Sequence, residues 1–226
     1  MDFLYVEAKY KDIIVLPEDF VAKLPKKVAL FTTIQFSNSI PSLKKQLEDA
    51  GIEVELIRPR HTRGPGQILG CSTTGFVAES DFVYVGDGLF HPKALVLRNK
   101  KNVYTYDPKS GEQRVLDHTI TATITKKLAG LYSKFLMGKN IGVLITLKPG
   151  QEKAYMTEKL QETYPDKNFY FFANHSYDFQ ALKDFPFVDL FLNTMCERIG
   201  YDDMDVQGVS IMNLEDLWDL RDGVFD

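Results

Sequence analysis

The sequence predicts an α/β fold of two Rossmann-like units with mostly parallel sheets, and three observations predict it. Continuous apolar runs at 28–36, 141–147 and 188–194 have the length of strands and no polar face, as expected of strands covered on both sides in a parallel sheet. The first two are followed by a helical pattern and then another strand, the alternation that implies right-handed crossovers. The segments VALFTTIQF and IGVLITLKPGQ also open two stretches with the same order of elements, an approximate internal repeat in which the two cysteines fall in comparable places.

An opening strand is expected around 3–6, and a buried strand at 28–36. A helix then starts with Ser39 as N-cap and Pro41 in its first turn, carries Ile40, Leu43, Leu47 and Ala50 at helical spacing, and stops at Gly51. Further strands are expected at 52–57, 82–85, 94–97 and 103–106, with a turn at Asp107, Pro108 and Gly111. Ile120, Ile124, Leu128, Leu131 and Phe135 mark one face of a long helix closed by Gly138. The second stretch runs through a strand at 141–147, a turn at Pro149, Gly150 and Gln151, and a helix carrying Met156, Leu160 and Tyr164. A strand at 168–172 follows, then a short helix near Phe179, Leu182 and Phe185, and a strand at 188–194 that leads directly into Cys196. The tail, with Asn213 as cap and Leu214, Leu217, Trp218 and Leu220, reads as an amphipathic helix that packs on its own unit or forms a dimer contact.

Composition excludes several classes. A hydrophobic fraction of 44% with 26% charged residues is that of a folded globular protein, which sets disorder aside. With 27 basic against 31 acidic residues the net charge is −4, so no general attraction to nucleic acid or membrane is expected. Arg58, Arg60, His61 and Arg63 form the local exception, as a phosphate or carboxylate site or, more commonly, a solvated loop. No apolar run approaches the roughly 18 to 20 residues that cross a bilayer, and the N-terminus has none of the pattern of a secretion signal. A cytoplasmic location is therefore expected.

The candidate chemistry begins with the two cysteines, Cys71 after QILG and Cys196 after VDLFLNTM. Each is expected where a buried strand emerges into a loop, the end at which open α/β sheets present ligands. A buried free cysteine is commonly just a small apolar residue. Gly70 before Cys71 permits a sharp turn, however, and Glu197 and Arg198 after Cys196 are unsuited to a deep core, so metal or cluster ligation stays open beside the structural reading. Zinc is disfavoured, since no CxxC pair or cysteine–histidine spacing supplies four ligands. The run GDGLFHP is the second signal: Gly86 and Gly88 around Asp87 permit close backbone approach, and His91 before Pro92 is expected to be extended. The alternative there is an ordinary tight turn. No G-x-S-x-G elbow and no Walker loop occur, and His61, His118 and His175 lie in unrelated contexts.

Taken in order, TTIQF, QILGC, VYVGDGLFHP, YDP, GQ and FPFVDLFLNTMCER, with Asp202 or Asp203 soon after, resemble the diphthamide synthase family of archaea and eukaryotes. That resemblance implies three similar α/β domains, each giving one cysteine to a 4Fe-4S cluster. The cluster binds S-adenosylmethionine and cleaves it, and a 3-amino-3-carboxypropyl radical is transferred to a histidine of translation elongation factor 2. It implies Cys71 and Cys196 as the metal ligands of the second and third domains. Gln151 and Arg198 then face the methionyl part of the cofactor, and Asp87 and His91 are weaker cofactor-binding candidates. Residues 1–25 look like the remnant of a first domain, 26–116 like the second, 117–138 like a linking helix and 139–226 like the third.

Two departures bear on function. The resemblance expects a third cysteine, and the chain has two; the family's Cys-Pro-Arg reads Cys196-Glu197-Arg198. Three outcomes are compatible: two thiolates completed by another or a partner's ligand, an accessory subunit of a heterodimer, or a divergent member with another substrate; the expected partner is a second copy in a homodimer or a full-length family member in a heterodimer. A non-catalytic scaffold, or an enzyme using S-adenosylmethionine without metal, is the reading from other classes.

Overall fold

The computed structural model describes residues 6–73, 75–76, 78–117, 119–148, 151–202, 205–206 and 208–222, and divides into two compact units, Met1–Thr121 and Ala122–Asp226. The first contains α1 (Glu18–Val21), β1 (Lys27–Thr32), α2 (Ile40–Asp49), β2 (Glu53–Glu55), β3 (Asp81–Val85), α3 (Phe90–Leu97), β4 (Val103–Tyr106) and β5 (Gln113–Leu116). Its sheet runs β2-β1-β3-β4-β5, parallel except for β5, which pairs antiparallel with β4.

Strand β1 shows why the sheet is central. Val28 and Leu30 point into one apolar cluster with Leu43, Leu47, Val83 and Val85, whereas Ala29 and Phe31 point into another with Phe82, Tyr84, Leu95 and Val96. A period of two with both faces apolar buries every residue from Val28 to Thr32. Helix α2 ends as its sequence predicts. Gly51 adopts φ +79°, Ile52 N donates to Leu47 O at 3.0 Å and Gly51 N to Glu48 O at 2.9 Å, while Ile52 and Leu47 share the same core.

Helix α4 (Thr119–Met137) contains the division between the units, its start held by Asp117 Oδ1, which accepts from Thr119 N at 2.7 Å. The second unit continues with β6 (Asn140–Thr146), α5 (Leu160–Thr163), β7 (Asn168–Asn174), β8 (Leu190–Asn193), α6 (Arg198–Asp202), β9 (Asp205–Val206), β10 (Val209–Asn213) and α7 (Leu214–Arg221). Its sheet runs β7-β6-β8-β10-β9, parallel except for β9 against β10. In both units the parallel strands have the same spatial plan, two lying to one side of the first strand and one to the other. No helix among the described residues is long and apolar enough to cross a membrane.

The structure corrects several expectations. The 94–97 strand is helix α3: Ala94, Leu95, Val96 and Leu97 are all buried, so they show neither alternation nor a stripe, and periodicity could not separate strand from helix. His91 is accordingly helical rather than extended, and Pro92 stands in the first turn, where its missing N–H costs no hydrogen bond. The 28–36 strand ends at Thr32, and a 3-10 turn at Ile34–Ser39 feeds α2, so Ser39 is itself helical and its side chain makes no capping bond. The helix around Met156 is a 3-10 turn (Ala154–Thr157) followed by the short α5. Asn213 ends β10 and stands at the N-cap of α7 as expected, with extended backbone but no side-chain capping bond. Most of the expected opening strand, together with His118, Pro149, Gly150, Asp203 and 223–226, lies outside the described residues; from Val6 to Tyr10 the chain has no regular structure.

Candidate functional site

In the first unit the strand order reverses at β1, whose neighbours β2 and β3 lead away in opposite directions, and ligands of open α/β sheets sit at the C-terminal end of such a point. Thr32 closes that end. Its Oγ1 donates to Val85 O at 2.6 Å on the β3 side, while on the β2 side its N–H donates to Gly66 O and its carbonyl accepts from Ile68 N, both at 2.8 Å. The chain at Gln67 thus takes the place of β2 beside the end of β1, as one parallel bridge, and Ile68 is buried beneath it.

Cys71 follows in a turn that Leu69 and Ser72 close reciprocally: Leu69 N donates to Ser72 Oγ at 3.2 Å and Ser72 N to Leu69 O at 2.9 Å. The residue is exposed. Gly70 lets Phe90 pack directly on the backbone, because a Cβ there would fall on the Phe90 ring and push it aside. Phe90 thereby joins the Cys71 turn to the chain leaving β3. A cleft of about 930 Å³ lies alongside, lined in part by Lys9, Gln35, His61, Arg63 and Leu69. Of the basic cluster, His61 and Arg63 are in its lining; Arg63 pairs with Glu7 at 3.1 Å and Arg58 donates to Thr62 O at 3.4 Å.

The GDGLFHP run is a packed turn. A Cβ on Gly86 would meet the Tyr84 hydroxyl at 2.5 Å, and Gly88 has φ +63°. Tyr84 donates to Asp87 O at 3.3 Å and stacks on His91 with ring centroids 6.3 Å apart. Burial first, and then the nearby Asp87 and Asp107, push the tyrosine hydroxyl well above its ordinary pKa. The Asp87 carboxylate pairs with Lys109 at 3.1 Å, tying the turn to the 107–111 turn, where Asp107 Oδ1 accepts from Lys109 N at 2.9 Å.

In the second unit the corresponding end is polar and buried. Thr194 Oγ1 donates to Leu144 O at 2.8 Å, and Asn193, the last residue of β8, donates through Nδ2 to Cys196 O at 3.0 Å and to Asn213 Oδ1 at 2.7 Å. Asn193 Oδ1 accepts from Met195 N at 3.1 Å. Asn213, the last residue of β10, donates to Glu197 O and to Asp216 Oδ2, each at 2.9 Å, and Tyr201 donates to Asp216 Oδ1 at 2.6 Å. Two asparagines at the ends of adjacent strands therefore fix the loop that carries Cys196, which is half-buried. Gly200 is required beneath them, since a Cβ would lie 2.2 Å from Asn213 Oδ1.

Glu197 and Arg198 are buried, at 9% and 7% exposure, against the expectation that they avoid the interior. The reason for Glu197 is pairing: Lys153 Nζ stands 3.2 Å from its carboxylate and 2.9 Å from that of Glu215. Burial, then the hydrogen bond and charge of Glu197, raise the Glu215 pKa despite Lys153. For Lys153 burial works against the charge, but Glu215 and then Glu197 outweigh it and its pKa is raised. Gln151 is exposed in the turn after β6, its N–H bonded to Lys148 O at 3.1 Å. Of the expected site residues the structure groups Cys71, Asp87 and His91 at one sheet edge and Gln151, Cys196 and Arg198 at the other. The side chain of Asp202 is not described.

The two cysteines are not at equivalent places in the repeat. Cys71 precedes the third strand of its unit on the β2 side, whereas Cys196 directly follows the third strand of its own. Sequence reasoning also missed Lys153, Asn193, Asp216 and Glu215, and read Asn213 only as a helix cap. A polar residue closing an apolar strand, as in LFLN and SIMN, was the available signal.

A family profile described as "Putative diphthamide synthesis protein" matches residues 1–207. The chain belongs to this family. Among its relatives, the 2-(3-amino-3-carboxypropyl)histidine synthase of Pyrococcus horikoshii is 26% identical over 187 residues, covering 81% of this chain and 54% of the relative. The Methanocaldococcus jannaschii synthase of the same description is 30% identical over 182 residues, covering 79% and 47%. Subunit 1 of the corresponding synthase from Encephalitozoon cuniculi is 27% identical over 183 residues, covering 78% and 51%. The chain thus spans about half the length of the curated family members it matches. The crystal structure of Dph2 from Pyrococcus horikoshii superposes with a TM-score of 0.75 at 23% identity, covering 87% of this chain and 57% of that one. Its form with a 4Fe-4S cluster gives the same TM-score at 21% identity, covering 90% and 59%. The mixed α/β fold is therefore that of the family.

Proposed function

We propose that the chain acts in diphthamide synthesis, transferring a 3-amino-3-carboxypropyl group from S-adenosylmethionine to a histidine of translation elongation factor 2, with a 4Fe-4S cluster as cofactor. The observation that carries this reading is the family match over 1–207, with both cysteines at C-terminal sheet edges. Whether the donors suit such a group is a question of thiol access. Cys71 is exposed, Cys196 is half-buried, and neither is in a disulfide, so each can present one sulfur. No group of three His, Cys, Asp or Glu side chains is gathered for a metal among the described residues, and the two thiols, Cys71 and Cys196, belong to different units.

When bound, an iron–sulfur cluster supplies the electron chemistry that side chains lack. The chain's own residues bind and orient. Arg198, buried next to Cys196, supplies a charge that a carboxylate meets away from water, where a bidentate pair is strongest. The exposed amide of Gln151 is available to the amino and carboxylate groups of the same ligand. Asp87 and His91, engaged with Lys109 and Tyr84, shape the Cys71 edge.

One feature favours a second reading. Several relatives are described as subunit 1 of the synthase, which suits a role as one subunit beside a family member in a heterodimer, or beside a second copy in a homodimer. One assay tests both readings: transfer of radiolabel from the aminocarboxypropyl carbon of S-adenosylmethionine to elongation factor 2, under anaerobic reduction. Labelling by the chain alone supports the catalytic role. Labelling only with a full-length relative present supports the accessory one, and none in either case contradicts the proposal.

A further inference from the structure

We infer that Lys153 is a positioning residue that holds the Gln151 turn and the Cys196 loop in one fixed arrangement. The inference rests on the functional reading above, because it is the ligand of that site that would need Gln151 and the thiol at a set spacing. Lys153 lies two residues beyond Gln151 in the chain leaving β6, Glu197 follows Cys196 in the chain leaving β8, and Glu215 is the second residue of α7, just past β10. One ammonium group, 3.2 Å from Glu197 and 2.9 Å from Glu215, thus joins the chain leaving three adjacent strands.

Asn193 and Asn213 already tie the β8 end to the β10 end, and Lys153 adds the chain that carries Gln151. The side chains are 27%, 11% and 26% exposed, so solvent screens this cluster far less than a surface pair. A single cation stands between two carboxylates that would otherwise face each other, so its loss weakens both contacts at once. A site that must hold reacting groups in register loses on the order of 100-fold in rate for about 1 Å of misplacement. Lys153 touches no proposed ligand atom, so its effect reaches chemistry only through the two loops.

The test uses the full chain without cluster and reads thiol alkylation by iodoacetamide, with Cys71 as the internal reference. In Lys153→Met the ratio of Cys196 to Cys71 alkylation is expected to rise about tenfold, as for a local opening eased by loss of a buried pair. Amide hydrogen exchange over 151–157 should rise with it, and Lys153→Arg, which keeps the charge, should restore both. An unchanged ratio in folded Lys153→Met, or no rescue by Lys153→Arg, overturns the inference. Should Lys153→Met fail to fold, Glu197→Gln decides in the same way, with a smaller rise expected and an unchanged ratio contradicting the role. A raised ratio in protein that takes up no iron keeps the positioning role and defeats the functional reading. An unchanged ratio in protein that does take up iron does the reverse.

Discussion

The two units share a plan of parallel strands, yet their C-terminal edges are held by opposite means. In the first, Phe90 packs on Gly70 and the exposed Asp87–Lys109 pair links two turns. In the second, Asn193, Asn213, Asp216 and Tyr201 form a buried hydrogen-bond network, with the Lys153 cluster beside it. Apolar patterning in the strand interiors sets the architecture, and a handful of residues just past the strand ends sets what each edge can do. The Cys196 edge is accordingly the more exacting, because every buried polar atom there depends on a partner.

The comparison makes graded predictions. Asn213→Leu should be the most damaging, costing about 3 kcal/mol by removing one buried hydrogen-bond partner each from Asn193, Asp216 and the Glu197 carbonyl. The sole tryptophan, Trp218, lies in the second unit, so its fluorescence in urea should report that loss directly. Gly70→Ala should cost about 1 to 2 kcal/mol, since Phe90 is half exposed and can swing aside. That loss should appear in circular dichroism and leave the Trp218 transition unmoved; equal shifts in both signals would break the contrast.

The Glu215 carboxyl gives the second unit a pH signature of its own sign, opposite to that of the lowered Asp19 and Asp107 in the first. Its folded pKa is raised, so the folded state holds the proton more tightly than the unfolded chain does, and stability falls as pH rises from the ordinary glutamate range through the raised value. Glu215→Gln should flatten that fall in the Trp218-monitored unfolding, and a slope identical to that of the parent protein would contradict it. The smallest effect is expected from Asp87→Asn, about 0.5 kcal/mol or less, because both partners are nearly half exposed. A cost comparable to that of Asn213→Leu would mean that the first edge is as tightly determined as the second.

Sequence reasoning reached the strands whose interiors are apolar, β1, β3, β6 and β8, and the helices with a clear stripe or stop, α2 and α4. It failed where burial is complete or pairing is distant. Ala94 to Leu97 are buried on every side, which erases the period that separates helix from strand. Strand β5, with Arg114 and Val115 exposed at the sheet edge, carries too little apolar signal to be seen. Cys71, Cys196, Gln151 and Arg198 were visible as motif residues. The contacts that place them join residues as far apart as Asn193 and Asn213, or Lys153 and Glu215, and no local pattern encodes such a pairing.

The central proposal is that Cys71 and Cys196 are iron–sulfur ligands. The direct measurement is the iron and sulfide content of anaerobically reconstituted chain beside its Cys71→Ala and Cys196→Ala variants, each verified as folded by its unfolding curve. The account predicts that the parent chain binds both elements and that either substitution alone abolishes or sharply lowers the content. Iron and sulfide unchanged in either variant would contradict it.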